Sequence, residues 1–270
     1  MVARMRRLST LTPGGVAKRL RPRALVEAAS RTVLRRGVIN RGGRGVVNLI
    51  DVGSAGGLPG EWRNHAYRIR HLLNFEPLDR AGASGTVTSV SAALWRTAET
   101  RDFYVYRGEG YGNSLLRQNV AYVRAHFDEL RRRGPSNLAD TWFDRAEVVE
   151  TVQVQTTTLD DVLDSLGRKV KYVFLKIDAQ GADLAILQGA ERFLAEDCIG
   201  IQLEAFTIPL LEEVPLLDEI DAYLDRRGFT RVLSQPPQGT FDCAQDVLYL
   251  RRDATPSPAL GAIKAVYAIE

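Results

Sequence analysis

Short apolar runs alternate with amphipathic stretches along most of the chain. Residues 46–52 form a β-branched run closed by a glycine-rich turn, the pattern of a strand buried on both faces. Residues 72–75 form a second run, stopped by Glu76 and Pro77, and residues 86–90 a third, behind the turn residues Gly82 and Gly85. Residues 102–106 read as another strand leading into a glycine-punctuated loop at 107–113. A polar, helix-like segment follows over 115–133 and ends at Gly134-Pro135. Residues 152–154 alternate as an edge strand does, and Thr158 then caps a short helix with Asp160 and Asp161 in its first turn.

The second half repeats the alternation more strongly. A strand at 172–177 precedes a helix at 181–195, a strand at 199–203 is closed by Glu204, and a helix at 216–227 stops at Gly228. Strands at 229–233 and 247–250 flank the turn-rich stretch 234–239. Strands alternating with helices predict a doubly wound, seven-stranded, mostly parallel sheet covered on both faces, and the final pair predicts an antiparallel edge strand. Three regions are expected: a basic, partly helical arm at 1–45, a domain at 46–251 with an insertion at about 95–150, and a tail at 252–270.

Composition narrows the class. The chain has 270 residues, 45% hydrophobic, with a net charge of +3, which excludes disorder as the main state. No run approaches the roughly 18 apolar residues of a spanning helix, and no apolar stretch follows the basic N-terminus as a secretory signal requires. Two cysteines cannot build a disulfide framework or a four-ligand zinc site, so a reducing cytoplasm is expected. The charge is unevenly spread: residues 1–45 carry 12 of the 36 Lys+Arg and a single acid, Glu27. That arm is a candidate contact for the inner face of a membrane or an acidic partner, and equally a solvated lead-in. No nucleic acid is expected as partner, and an oligomer stays open.

The candidate chemistry starts at the first strand, which ends Asp51-Val52-Gly53-Ser54-Ala55-Gly56-Gly57. Small residues there let a ligand approach the backbone at the carboxyl end of the sheet. No Gly-Lys-Ser/Thr follows, which rejects a triphosphate loop. Ala55 replaces the second glycine of a dinucleotide fingerprint, and Leu58-Pro59-Gly60 interrupts the helix entry. S-adenosylmethionine fits better, with Asp51 placed for the cationic methionine end and Glu76 for the ribose hydroxyls. NAD could use Glu76 too, so Glu76 points to an adenosine nucleoside before it points to one cofactor.

The string from Phe174 to Ala190, Phe-Leu-Lys-Ile-Asp-Ala-Gln-Gly-Ala-Asp-Leu-Ala-Ile-Leu-Gln-Gly-Ala, resembles the signature of the FkbM family of S-adenosylmethionine-dependent methyltransferases, with Asp183 where Glu is usual. Asp51-Val52-Gly53, Phe75-Glu76-Pro77, Ala93-Leu94, Thr158-Leu159-Asp160-Asp161 and Gln202-Leu203-Glu204 follow in the family's order, so the resemblance covers about 46–251. It implies a Rossmann-like class I fold and methyl transfer to oxygen, with a glycan or small-molecule acceptor and S-adenosylhomocysteine as product. The cofactor residues it implies are Asp51, Gly53, Ser54, Ala55, Gly56, Gly57, Glu76, Pro77, Ala93 and Asp178.

A hydroxyl acceptor must lose its proton, and three groups are candidates. Asp178 and Glu204 are expected near each other at strand ends facing one crevice, and His126 lies in the polar helix after the glycine loop. Lys176 shares Asp178's side of the pleat, where an ion pair with Asp178 or Glu204 is expected. His65 and His71 read as ordinary histidines, and an ordinary surface role stays open for His126. Tyr104, Tyr106, Tyr111 and Trp142 cluster around the insertion, where aromatics can stack on a sugar or other planar acceptor or equally fill the core; the core is expected for Tyr104, and Tyr111 stays open. No metal-ligand spacing is present, and the need for a metal stays open. A nicotinamide oxidoreductase and a non-catalytic cofactor-binding adaptor remain as alternatives.

Overall fold

The computed structural model describes residues 39–53, 58, 60–78, 82–108 and 112–270. Residues 1–38 of the basic arm, Ser54, Ala55, Gly56 and Gly57 of the first turn, and Tyr111 lie outside the described residues. In chain order the elements are β1 (Val47–Val52), α1 (Gly60–Arg63), β2 (Ile69–Phe75), β3 (Gly82–Ser84), β4 (Val87–Val90), β5 (Ala93–Leu94) and β6 (Thr100–Tyr106). Next come α2 (Val120–Leu130), α3 (Ser136–Asp140), α4 (Trp142–Arg145), β7 (Val148–Thr157), α5 (Leu159–Ser165) and β8 (Phe174–Ile177). The chain closes with α6 (Asp183–Gln188), α7 (Glu191–Glu196), β9 (Gly200–Phe206), α8 (Leu217–Asp225), β10 (Phe229–Ser234), β11 (Ala244–Arg251) and α9 (Pro258–Val266).

The main sheet runs β10-β11-β9-β8-β1-β2-β4-β3, with β1, β2, β4, β8 and β9 parallel. It has eight strands rather than seven, because the short β3 folds back antiparallel onto β4. The antiparallel strand at the other end is not the edge: β11 is inserted between β9 and β10. A separate three-stranded sheet, β5-β7-β6, carries the insertion. There β7 lies between two partners and is not the edge strand that its alternation suggests.

Period-two alternation assigns each face. Ile50, Val52, Leu73, Phe75, Leu175 and Ile177 face a core completed by Leu159, Ile186, Leu187 and Phe193. Val47, Leu49, Leu72 and Phe174 face a second core completed by Trp62 and by Ile263 and Tyr267 at the end of the chain. Each fully buried Leu, Ile or Phe contributes about 1.5–3 kcal/mol relative to exposure. Residues 252–270, outside the motif resemblance, thus supply α9, which packs Ala262, Ile263 and Val266 into the core on one sheet face.

Helix boundaries differ where local chemistry intervenes. The segment expected to be helical from residue 115 becomes α2 only at Val120, because the Asn119 side chain accepts the Tyr122 amide at 3.0 Å and caps the helix there. Thr158 caps α5 as expected, accepting from the Asp161 amide at 3.0 Å. The helix expected over 181–195 is two, α6 and α7, broken at Gly189.

Gly189 has no side chain because there is no room for one: a Cβ would lie 2.2 Å from the Trp95 carbonyl oxygen. The backbone following β5 therefore packs against the end of α6. We expect Gly189→Ala to lower stability by about 1–3 kcal/mol, the range for overpacking. By contrast Gly261→Ala, in α9 with nothing within 4 Å of the new Cβ, should raise it by about 0.5–1 kcal/mol. Denaturant midpoints of the two variants check both signs.

Candidate active site

The chain leaves β1 toward β2 and β4 on one side and returns through β8 and β9 on the other, so the crevice lies at the carboxyl ends of β1 and β8. Gly53 has φ +79°, and a Cβ there would sit 1.9 Å from the Asp178 carbonyl oxygen. The Asp178 amide in turn donates to the Val52 carbonyl at 3.0 Å. The two strand ends are thus in backbone contact, and the turn after β8 is placed directly over the end of β1.

A cavity of about 210 Å³ opens there. Glu76 and Pro77 from the end of β2, Gly53 from β1, and Asp178 and Gln180 after β8 form its polar side. Phe75, Ala93, Leu94, Phe103 and Ile186 form an apolar wall. A carboxylate at the tip of the second strand beside an apolar wall suits an adenosine: the acid for the ribose hydroxyls and the wall for the flat base. Gly53, Glu76, Pro77, Ala93 and Asp178, all named from the sequence, are therefore brought together.

Asp51 is not with them. Its side chain points to the opposite face of the sheet, 1% exposed, with Lys176 Nζ 3.1 Å from Oδ1. Lys176 pairs first with Asp51 and more distantly with Asp178, at 3.7 Å, rather than with Glu204. The reason is register, since Asp51 and Lys176 are direct neighbours across β1 and β8. Burial raises the Asp51 carboxyl pKa against the pull of Lys176. Burial also works against the lysine's charge, but Asp51 and Asp178 outweigh it and hold the ammonium protonated.

Beside this pair runs a chain of carboxyl groups bridged by carboxamides. Gln180 Nε2 donates to Asp178 Oδ1 at 3.0 Å and to Glu204 Oε2 at 3.2 Å. Gln238 Nε2 donates to Glu204 Oε1 at 3.2 Å and to Asp246 Oδ2 at 3.0 Å. Gln180 reaches its position from a left-handed backbone, φ +49°, and its carbonyl accepts from Ser114 Oγ at 2.6 Å. Left-handed non-glycine residues cost of order 1–3 kcal/mol and cluster at functional sites. Burial, then the carboxylates of Asp178, Asp246 and Asp183, push Glu204 up to about 8. Burial likewise raises Asp183 to about 7.

Glu204 faces a second cavity of about 360 Å³, also lined by Tyr106, Gln118, Trp142, Arg145, Phe206 and Thr240. Gly112 and Gln180 line both cavities, so the two meet at the Asp178–Gln180–Glu204 bridge. The insertion walls this second space, held down by backbone bonds from Asn119 N to Leu210 O (2.8 Å) and from Glu212 N to Arg117 O (2.7 Å). Tyr104 is buried, as expected.

His126 does not reach either cavity. It is exposed on α2, with Nδ1 2.9 Å from the Tyr122 carbonyl and its ring against Tyr122. A candidate base must come within hydrogen-bond reach of the proton it takes, and His126 faces away. Sequence reasoning missed Gln180, Gln238 and Arg145. Gln180 stood inside the recognised motif and Gln238 inside a stretch read only as a turn, while nothing local singled out Arg145. Among the described residues no group of three or more His, Cys, Asp or Glu is arranged to hold a metal.

The family model described as the methyltransferase FkbM domain matches residues 60–231. Among solved structures the chain is similar to an FkbM methyltransferase from Methylobacillus flagellatus KT, at 12% identity and TM-score 0.42 over 76% of this chain. The match spans only 43% of that larger protein. A candidate tRNA (m1A22) methyltransferase from Streptococcus pneumoniae, in complex with S-adenosyl-L-methionine, shares 14% identity at TM-score 0.34, over 86% of this chain and 75% of its own. The magnesium protoporphyrin IX methyltransferase of Synechocystis PCC 6803, with bound cofactor, shares 10% identity at TM-score 0.35, over 85% and 79%. No curated protein matches the chain significantly in sequence.

The position of Glu204 has a consequence for stability. A carboxyl whose native pKa lies near 8 against an ordinary 4.5 contributes fully below pH 4.5 and loses that contribution as pH rises toward 8. We expect Glu204→Gln to be close to wild type at pH 5 and more stable than wild type at pH 8.5, read from denaturation midpoints at the two pH values.

Proposed function

The chain belongs to the FkbM methyltransferase family, and from that premise we propose that it methylates a hydroxyl oxygen of a sugar, glycan or related metabolite, with Glu204 as the general base. The cofactor is S-adenosylmethionine, which when bound supplies a methyl group activated on a sulfonium. Family membership removes the nicotinamide reading. One observation carries the proposal: the cavity lined by Glu76 and the Glu204 cavity meet at Gln180.

Glu76 would take the ribose hydroxyls and the wall of Ala93, Leu94 and Phe103 the base. Asp178 and Gln180 would face the methionine portion at the boundary between the cavities. Glu204 would accept the acceptor's hydroxyl proton, and its raised pKa makes it a stronger base than an ordinary carboxylate once ionised. Gln180 and Gln238 each donate to one of its oxygens, which fixes the plane of the carboxyl and leaves the remaining lone pairs for the acceptor. Tyr106 donates its hydroxyl to the Leu116 carbonyl at 3.1 Å and accepts from the Gln118 amide at 2.9 Å, so it shapes the cavity wall rather than moving a proton. An adaptor that had lost catalysis would need none of this arrangement around Glu204.

In this reading residues 46–251 form the catalytic domain, residues 95–150 supply the acceptor wall, and the basic arm at 1–45 tethers the enzyme to an anionic surface or partner. No helix among the described residues is long and apolar enough to cross a membrane.

Two substitutions separate the roles. Glu76→Ala should weaken S-adenosylhomocysteine binding about 10- to 100-fold by calorimetry, the loss of one or two hydrogen bonds to a charged group. Glu204→Gln should leave that affinity nearly unchanged while lowering kcat about 100-fold or more. In the wild type, turnover of labelled methyl donor should rise as pH increases through about 8, and the variant should lose that rise. A Glu204→Gln enzyme with normal turnover would overturn the assignment of the base.

A further inference from the structure

The second cavity contains a cation, Arg145, that forms no ion pair with any described residue. Arg145 is the one Lys, Arg or His lining it among the described residues. The side chain is half-buried and anchored at three points. Its Nη2 donates to the Leu138 carbonyl at 2.7 Å and to Thr240 Oγ1 at 2.9 Å, and its Nε to Thr141 Oγ1 at 3.2 Å. All three acceptors are neutral. Of the other arginines of the insertion, Arg101, Arg107 and Arg131 form ion pairs with Glu99, Glu147 and Asp140, whereas several on its outer surface do not; what sets Arg145 apart is its place in the cavity wall. Among the described residues no carboxylate lies within the 4.0 Å of an ion pair from Arg145.

Glu204, the acid that shares the cavity, does not fill this role. It forms no ion pair with Arg145, and the carboxylates of Asp178, Asp246 and Asp183 around it favour its neutral form. A fixed guanidinium in a partly desolvated cavity, with Nη1 bonded to no described residue, is a ready receptor for a carboxylate or phosphate. Trp142, Phe206 and Leu210 add an apolar stretch of wall that suits the body of a ring, beside the polar Gln118 and Thr240.

We infer that the acceptor carries an anionic group, a carboxylate or a phosphate monoester, which Arg145 binds while a hydroxyl of the same molecule faces Glu204. This rests on the methyl-transfer reading above and adds to it the charge of the substrate. It also gives the insertion a task, since α4 carries Arg145 at its end and Trp142 at its start. A neutral acceptor would leave the guanidinium desolvated without a counter-charge, which is the less favourable arrangement.

The test uses three aryl glycosides that differ only at carbon 6: a glucoside with a neutral CH2OH, a glucuronide with a carboxylate, and a glucoside 6-phosphate. Each is titrated calorimetrically into the full chain, with and without saturating S-adenosylhomocysteine, for wild type, Arg145→Gln and Arg145→Lys. At least one anionic probe should bind about tenfold or more tightly than the neutral one. Arg145→Gln should abolish that preference with S-adenosylhomocysteine affinity unchanged, and Arg145→Lys should keep part of it. Which anion binds separates carboxylate from phosphate. Equal binding of all three probes, binding of none, or a preference that survives Arg145→Gln overturns the inference. An Arg145→Gln chain that no longer unfolds cooperatively would be replaced by Arg145→Lys, whose failure to favour either anion overturns it equally. Wild type that fails to bind S-adenosylhomocysteine would count against the methyltransferase reading, while the probe titrations without it still report on Arg145.

Discussion

The carbonyl of Asp178 occupies the space that any side chain on Gly53 would need. Because Gly53 has none and adopts φ +79°, the ends of β1 and β8 meet backbone to backbone. Everything that faces the crevice is positioned from this contact. It sets where the turn after β8 begins, which places the Asp178 side chain at one cavity and lets the left-handed Gln180 reach across to Glu204. Gly53 at the end of the first strand therefore serves as a close contact between strands.

Beneath the crevice the sheet carries an expensive feature. Asn74, Asp51, Lys176 and Gln202 lie side by side at one level across β2, β1, β8 and β9, all buried. Buried charges are costly unless paired, and the row is compensated unequally. Lys176 answers Asp51, and Gln202 accepts from Tyr267 Oη at 2.7 Å, which itself accepts from Trp62 Nε1 at 2.9 Å. The ring of Trp62 packs on Phe174 at 5.3 Å, so the polar row is sealed by the same residues that cover this face. Its ammonium also reaches toward Asp178, so the row contributes to the electrostatics of the crevice as well as to the core.

The two cavities are built by different parts of the fold. The first is built from strand ends and short turns of the main sheet, the part that follows the family pattern. The second is walled largely by the insertion between β6 and β7 together with the 239–244 turn. Glu204 and Gln180 belong to the boundary between them. The raised pKa of Glu204 comes first from burial and then from three other carboxyl groups, gathered from the turn after β8, from β11 and from α6, an arrangement that no single segment displays.

What could be read along the chain was information that is local. Apolar periodicity identified β1, β8 and β9 and their order of helices, and the motif around Asp178 named the family and its cofactor. Glu76, Asp178 and Glu204 were found because each ends or interrupts an apolar run, a signal confined to a few residues. Edge and inner strands were confused at β7 and β11, since alternation reports a half-buried face and not the identity of the neighbour. The partner of Lys176, the bridge of Gln238 to Glu204 across 34 residues and the placement of Arg145 depended on register and on packing between distant segments. His126 shows the converse: a residue chosen for its chemistry was turned away from the site by the face of the helix that carries it. Chemistry and periodicity are properties of neighbours in sequence, whereas a site is made by neighbours in space, and only the folded sheet brings those together.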